Sequence, residues 1–381
     1  MKKKSCYAQD GVDVKEGDSF SSFAAELCRS TYENSGFVTV RDFSKRHFRG
    51  PRAFRYKNLP RNYWIDASPD GDGTKPALED AAGDYENAAH GIVAMTFGDI
   101  SRWGGIAFLL LDNLDVRTLG KFGSPRNKAY RTMMLGLRRL ANENRFVLYK
   151  GETAELPGSV TSPNRKALAK YLWSGVALGA YNPKTIITGD KVKEGMIVMA
   201  LKERGFRNNG ISSARKAIVM HYGSLSSPEA QDAVKRAAAP AILYDHFLTT
   251  ANGWFEKGFK PVIPSYLNVH LTGGAIKSKL AEDILFPRGF SARLNNLWEP
   301  ASIMRECADW RGMCDDECYE AWHGGQGWLS VINASDESAY VNMAADFGHQ
   351  ARRAGVITRQ KNPTVVIESK FTGKTIEWFA K

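Results

Sequence analysis

Short apolar runs alternate with amphipathic stretches along the chain, the pattern of a packed α/β protein. Ala82–Phe97, with Ile92, Val93 and Met95 among its apolar positions, reads as a helix, and Gly105–Leu111 is an apolar run of strand length. Ser124 followed by Pro125 signals a helix start, and Met133, Met134, Leu137 and Leu140 form a stripe at helical spacing behind it. Phe146–Tyr149 predicts a short strand leading into a loop, Gly151–Gly158, and Leu172–Leu178 predicts another strand. Tyr181-Asn182-Pro183 punctuates the chain like a hinge, so domains of residues 1–180 and 181–381 are expected. Beyond the hinge, Met196–Leu201 and Leu267–Val269 read as strands, Ile211–His221 and Pro300–Trp310 as helices, and Val365–Ile367 as the strand closing the core. Ser227, with Pro228 behind it, is placed to cap a further helix. No clean repeating β-α-β unit stands out. The expected fold is a two-domain mixed α/β sandwich of α+β type, not a barrel.

With 43% hydrophobic and 24% charged residues, the 381-residue chain is neither disordered nor, with 35 aperiodic glycines, collagen-like. Its longest apolar stretch, around Gly105–Leu111, is too short to span a bilayer. The basic start Met1–Lys4 is followed by the polar run Gln9–Asp18, so no secretion signal is expected. Five cysteines, an odd number, argue against a disulfide framework and for a reducing, cytoplasmic compartment. Cys307, Cys314 and Cys318 with His323 lack the paired short spacings of a zinc site and read as ordinary thiols. The formal charge of +11 is uneven. Arg41, Lys45, Arg46, Arg49, Arg52, Arg55, Lys57 and Arg61 face one acid, Asp42, and interleave with Phe43, Phe48, Phe54 and Tyr56. Such a stretch suits a solvated face, a polyphosphate or a nucleic-acid backbone, and charge alone does not choose among them.

The candidate chemistry sits in acidic and glycine-bearing segments. In Asp70-Gly71-Asp72-Gly73-Thr74-Lys75, glycines let a ligand approach the backbone, carboxylates suit magnesium and lysine suits phosphate; a surface turn is the alternative. Asp99 follows Gly98 at the end of a helical stretch. Gly151-Glu152-Thr153-Ala154-Glu155-Leu156-Pro157-Gly158 places two carboxylates and a hydroxyl after a strand, where a metal or substrate hydroxyl could bind; a plain loop is the alternative. His270-Leu271-Thr272-Gly273-Gly274 offers an imidazole, a hydroxyl and open backbone for a polar ligand or acid–base work. The passage Trp322–Gly327 could wrap an anion with its backbone N–H groups. No phosphate loop, dinucleotide fingerprint or Gly-x-Ser-x-Gly elbow occurs.

In order and spacing these segments resemble the phosphoribosylformylglycinamidine cyclo-ligase (aminoimidazole ribonucleotide synthetase) family of purine biosynthesis. The resemblance covers Tyr7–Gly17, Asp70–Lys75, Asp99 with Gly104 and the strand to Asp112, Gly151–Gly158, Asn209-Gly210 with Ser213 and Arg215, and His270–Gly274. Gly151–Gly158 is the most specific match. The departures are Gly98 for the family's Asn, Asn208 for Ser, Ala275 for a third glycine, Ala241-Ile242 for a Thr-Arg/Lys pair, Trp322-His323 for Phe-Asn, Asp72 for an apolar residue, and the basic segment in place of an early glycine-rich loop.

The resemblance implies an ATP-dependent ligase acting on formylglycinamidine ribonucleotide. Its first domain would bind ATP and form a homodimer with the site at a subunit boundary, and its second would close over the substrate. It implies Asp70, Gly71, Asp72, Gly73, Thr74 and Lys75 around ATP and its phosphates, with Mg2+ held by Asp70, Asp99 and Glu152. Gly151, Glu152, Thr153, Glu155, Asn209 and Gly210 would contact substrate, and His270, Thr272 and Asp99 would be catalytic. The basic run Arg41–Arg61 would be a flap over phosphate. The partners are then small molecules, not a membrane or nucleic acid. Two other readings stay open: another ATP-using enzyme of the superfamily, or an idle relative that binds nucleotide or nucleic acid through the basic segment.

Overall fold

A computed structural model describes residues 14–43 and 51–380. Most of the Tyr7–Gly17 motif, along with Lys45, Arg46, Phe48 and Arg49 of the basic run, lies outside the described residues. Two compact units form. One comprises the residues up to Phe97 together with Ala107–Ala180; the other comprises Gly98–Ile106 together with the chain from Tyr181 onward.

The first unit is built on a four-stranded sheet. Its strands are β3 (Trp64–Gly71), β4 (Ile106–Val116), β5 (Val147–Glu155) and β6 (Tyr171–Tyr181), in the order β3-β6-β4-β5. The preceding strands β1 (Val38–Asp42) and β2 (Arg52–Tyr56) pair as an antiparallel hairpin of their own. Helix α1 (Val14–Arg29) precedes them; α2 (Pro76–Ala82) and α3 (His90–Ser101) follow β3, and α4 (Pro125–Glu143) links β4 to β5. Ser124 caps α4 as the sequence indicates, its hydroxyl accepting the Asn127 N–H at 3.3 Å, and Met133, Met134, Leu137 and Leu140 are all buried. β4 and β5 pair in parallel, so the strand, helix and strand read from the sequence form a single β-α-β unit, β4-α4-β5.

Three expectations are corrected. Of the helix expected over Ala82–Phe97, only His90–Phe97 is helical, as the start of α3: α2 ends at Ala82, where Gly83 adopts φ +70° in a left-handed cap, and residues 83–89 are irregular. Gly151–Glu155 is strand, not loop: it continues β5 in register with Asp112–Val116 of β4. Ser227 precedes a 3-10 turn, Pro228–Ala230, and its side chain caps no helical N–H.

The second unit holds a seven-stranded sheet. Its strands are β7 (Ile197–Lys202), β8 (Leu267–His270), β9 (Ser291–Leu294), β10 (Gln326–Ile332), β11 (Ala351–Thr358), β12 (Thr364–Glu368) and β13 (Thr375–Phe379), in the order β13-β12-β9-β11-β7-β10-β8. Pairing is antiparallel except between β9 and β12. Both faces are covered. Val198 and Ala200 of β7 enter one core, with Val269, Leu280 and Leu329, while Ile197, Met199 and Leu201 enter the other, with Phe247, Trp328 and Tyr340. A strand buried on both faces reads as an unbroken apolar run, which is why β7 is legible in the sequence.

Candidate functional site

In the first unit, β3 carries Asp70 to the surface and then turns inward. The Asp72 N–H donates to the Trp173 carbonyl at 2.9 Å, which pins the turn to β6, and Gly73 adopts φ +58°. The Lys75 N–H then donates to the Asp72 carbonyl at 3.2 Å and α2 begins with Pro76. Asp70, Gly73 and Thr74 are exposed and Gly71 is half-buried, whereas Asp72 and Lys75 are each 1% exposed. The segment is therefore not a plain surface turn, and Lys75 lies inside the unit. Burial pushes Glu79 up to about 7, opposed by the charge of Lys75 and by the Tyr171 hydroxyl, which donates to Glu79 at 2.7 Å.

Beside Gly151, paired with it on β4, lies Asp112. Burial raises it to about 6, against the Trp173 indole N–H donating at 3.0 Å. Gly151 makes room for it: a Cβ there would stand 2.4 Å from Asp112 Oδ1, which would have to shift. Glu152 is exposed and Thr153 is half-buried. Glu155 is engaged structurally, accepting the Leu119 N–H at 2.6 Å and the Thr118 hydroxyl at 3.1 Å, so it holds the turn after β4 rather than standing open to a ligand. Asp70 and Glu152 sit on opposite edge strands with β6 and β4 between them. Three strand spacings, about 14 Å, are too far for one ion. Among the described residues no group of three or more His, Cys, Asp or Glu converges to hold a metal. A groove of about 370 Å³ lies between those edges, lined by Pro69, Asp70, Asn113 and Ser174 among others.

In the second unit, Asp99 lies in the last turn of α3 and His270 ends β8. His270 Nδ1 is 3.3 Å from Asp99 Oδ1, and Nε2 is 3.2 Å from Arg207 Nη2. His270 is 1% exposed, and burial lowers its pKa to about 4 despite the Asp99 carboxylate. Desolvation pushes Asp99 up, but the hydrogen bond from His270 and the Arg102 charge hold it below the usual carboxylate range. With both ring nitrogens engaged and no solvent access, His270 lacks the open edge an acid–base catalyst needs. Gly98 packs under the ring: a Cβ there would stand 2.5–2.8 Å from His270 Cε1, Nε2 and Nδ1. The glycine that departs from the family's Asn is thus the floor of the histidine pocket.

Thr272 is half-buried and Gly273 exposed. Asn209, also exposed, faces them: a Cβ on Gly273 would lie 3.6 Å from its Nδ2. Gly210 adopts φ +70° beneath Trp322, whose indole N–H donates to the Gly210 carbonyl at 3.0 Å. Ala275 takes the place of a glycine at φ +44°, fully buried. The Trp322–Gly327 passage is interior. His323 Nε2 is 2.9 Å from the Gly205 carbonyl and the Gly325 N–H meets His323 Nδ1 at 3.2 Å, so these groups are not free to wrap an anion. Cys307 and Cys318 are buried and Cys314 is exposed, all as free thiols. The sequence reading missed Arg207, which meets His270, and Glu203, which accepts from Arg207 at 2.8 Å. The charged pair Glu203 and Arg207 at i and i+4 beside the Asn-Gly turn was the available signal.

Among solved structures, the chain is similar to hydrogenase maturation protein HypE in complex with ATP, with a TM-score of 0.56 and 14% identity over 85% of this chain and 86% of that one. It is equally similar to thiamine-monophosphate kinase from Stenotrophomonas maltophilia, with a TM-score of 0.56 and 14% identity over 92% and 97% of the two chains. These likenesses define the class as the mixed α/β fold of those proteins. No protein-family model matches the chain. Among curated proteins, it is 22% identical to the phosphoribosylformylglycinamidine cyclo-ligase of Pyrococcus furiosus over 95% of this chain and 97% of that one. It is 24% identical to that of Paraburkholderia phymatum, over 95% of each. The chain is thus similar over nearly its whole length, at 22–24% identity, to proteins named phosphoribosylformylglycinamidine cyclo-ligase. No helix among the described residues is long and apolar enough to cross a membrane.

Proposed function

We propose that the protein is an ATP-dependent ligase that closes formylglycinamidine ribonucleotide to aminoimidazole ribonucleotide. The observation that carries this reading is the end-to-end match, about 95% of both chains, to relatives that bear that name. ATP would transfer its terminal phosphoryl group to the formyl oxygen. A nitrogen of the same molecule then attacks the activated carbon, loses a proton and expels inorganic phosphate. Such a site supplies positioning and charge more than covalent chemistry.

The exposed Asp70, Thr74 and Glu152 and the half-buried Asp99 are the groups that can meet phosphate or a hydrated cation. Magnesium is commonly held by one or two carboxylates plus the phosphates it accompanies, so single exposed carboxylates suit it better than a closed cage. When bound, it would neutralise charge on the triphosphate. Gly273, Thr272 and Asn209 present open backbone and polar side chains for the acceptor. A homodimer through the first unit is supported by the apolar groups left exposed on neighbouring strands: Trp64 at 68% and Ile65 at 40% on β3, and Leu172 at 51% on β6.

Phosphoryl transfer to a different acceptor is the second reading. It is favoured by the changed residues Gly98, Asn208, Ala241-Ile242 and Ala275, all of which fall in the second unit. Complementation of a strain lacking this purine step tests the proposal. Growth without purine, lost on Asp70→Asn, supports cyclo-ligation; absence of growth despite soluble expression counts against it.

A further inference from the structure

We infer that His270 is a positioning residue: Glu203, Arg207 and His270 form a buried chain that ends on Asp99 and fixes the orientation of its carboxylate. The order of the chain follows from which atoms can donate. Glu203 Oε2 accepts from Arg207 Nη1 at 2.8 Å, and that nitrogen also donates to the Ile242 carbonyl at 3.0 Å. The other Glu203 oxygen accepts the Arg204 N–H at 2.9 Å, so the carboxylate is held from two sides. A guanidinium only donates. His270 Nε2, 3.2 Å from Arg207 Nη2, must therefore be the accepting nitrogen, which leaves the ring proton on Nδ1. Nδ1 is the atom that faces Asp99, so the imidazole donates to that carboxylate.

Side-chain exposure runs in the same direction: 1% for Glu203, 3% for Arg207, 0% for His270 and 33% for Asp99. Only the last member reaches solvent. The ring has no room to turn over, because Gly98 lies against it and the Trp328 ring sits with its centroid 5.5 Å away. A histidine enclosed in this way cannot exchange protons with a substrate, but it can hold Asp99 in one rotamer. The ligand-facing role of Asp99 rests on the cyclo-ligase reading; the tautomer of His270 does not.

The test uses the wild-type protein with 15N-labelled histidine rings, and His270→Gln to identify the signal. The inference expects His270 near neutral pH to show a protonated, pyrrole-type Nδ1 and a bare, pyridine-type Nε2. A proton on Nε2, or on both nitrogens, overturns it. The second arm measures ATP turnover with formylglycinamidine ribonucleotide. Loss of a group that orients a ligand-facing side chain costs about 10–100-fold, so His270→Gln, which lacks a donor at the Nδ1 position, is expected to fall by about tenfold or more. His270→Asn places an amide N–H where Nδ1 stood and is expected to recover most of that loss. Equal losses in the two variants overturn the positioning role. If the wild-type protein turns over nothing with this substrate, the cyclo-ligase reading fails, and the ring-nitrogen spectrum still decides the tautomer.

Discussion

Gly98→Ala is the most informative single substitution in the second unit. In an ordinary helix interior this change stabilises by roughly 0.5–1 kcal/mol, because alanine loses less backbone entropy on folding. Here the added methyl would lie 2.5 Å from His270 Cε1, 2.7 Å from Nε2 and 2.8 Å from Nδ1. The neighbour that would have to yield is a buried ring held by Arg207 and Asp99. Overpacking of this kind costs about 1–3 kcal/mol, so the clash outweighs the helix gain and net destabilisation of about 1–2 kcal/mol is expected. For a unit of some 200 residues that lowers the melting temperature by about 2–8 °C. The decisive assay is a double-mutant cycle by thermal or denaturant unfolding. In a His270→Ala background the obstacle is gone, and Gly98→Ala should become neutral or stabilising. The same penalty in both backgrounds would refute the packing account of Gly98.

Three further outcomes follow from particular contacts. Asp112 is raised from its ordinary 3.8 to about 6 by burial, so its protonated form favours the folded state; that contribution is complete below 3.8 and is lost as pH climbs through about 6. Asp112→Asn, which keeps an acceptor for Trp173, should therefore gain stability over wild type between pH 4 and 7, by up to ~3 kcal/mol, and level off above; an advantage independent of pH in denaturant titrations would contradict this. Ala275 at φ +44° should tolerate glycine within about 1 kcal/mol, since relief of left-handed strain offsets the lost methyl and the added chain entropy. Valine there should cost more than about 2 kcal/mol, and equal midpoints for the two variants would count against the strain assignment. On the proposed homodimer, Leu172→Lys should shift the mass measured by light scattering from dimer to monomer while melting stays within a few degrees; a dimer of unchanged affinity, or a wild-type monomer, would contradict an interface at this strand.

What could be read from the sequence was what burial imposes on composition. The α4 stripe and its Ser124-Pro125 start, and the apolar runs of β4 and β7, are legible because each faces a core along its length. Strand β3 is not, because it lies at the edge of its sheet and mixes Trp64 and Ile65 with Asp66, Ser68 and Asp70. The polar Gly151–Glu155 segment looks like a loop for the same reason, being the outer strand at the opposite edge. The acidic and glycine-bearing motifs were found by their spacing, but their exposure was not: nothing local distinguishes exposed Asp70 from buried Asp72 two residues on. The burial of His270 is a long-range property, 171 residues from Asp99, and the one hint of it was a glycine at position 98 where the resembled family carries asparagine.

The central claim, ATP-driven ring closure, is tested most directly with purified protein, magnesium and ATP by following phosphate release and the imidazole product together. The account predicts that phosphate appears only when formylglycinamidine ribonucleotide is present, one phosphate for each aminoimidazole ribonucleotide formed. Phosphate release that ignores this substrate, or none at all while ATP still binds, would contradict it.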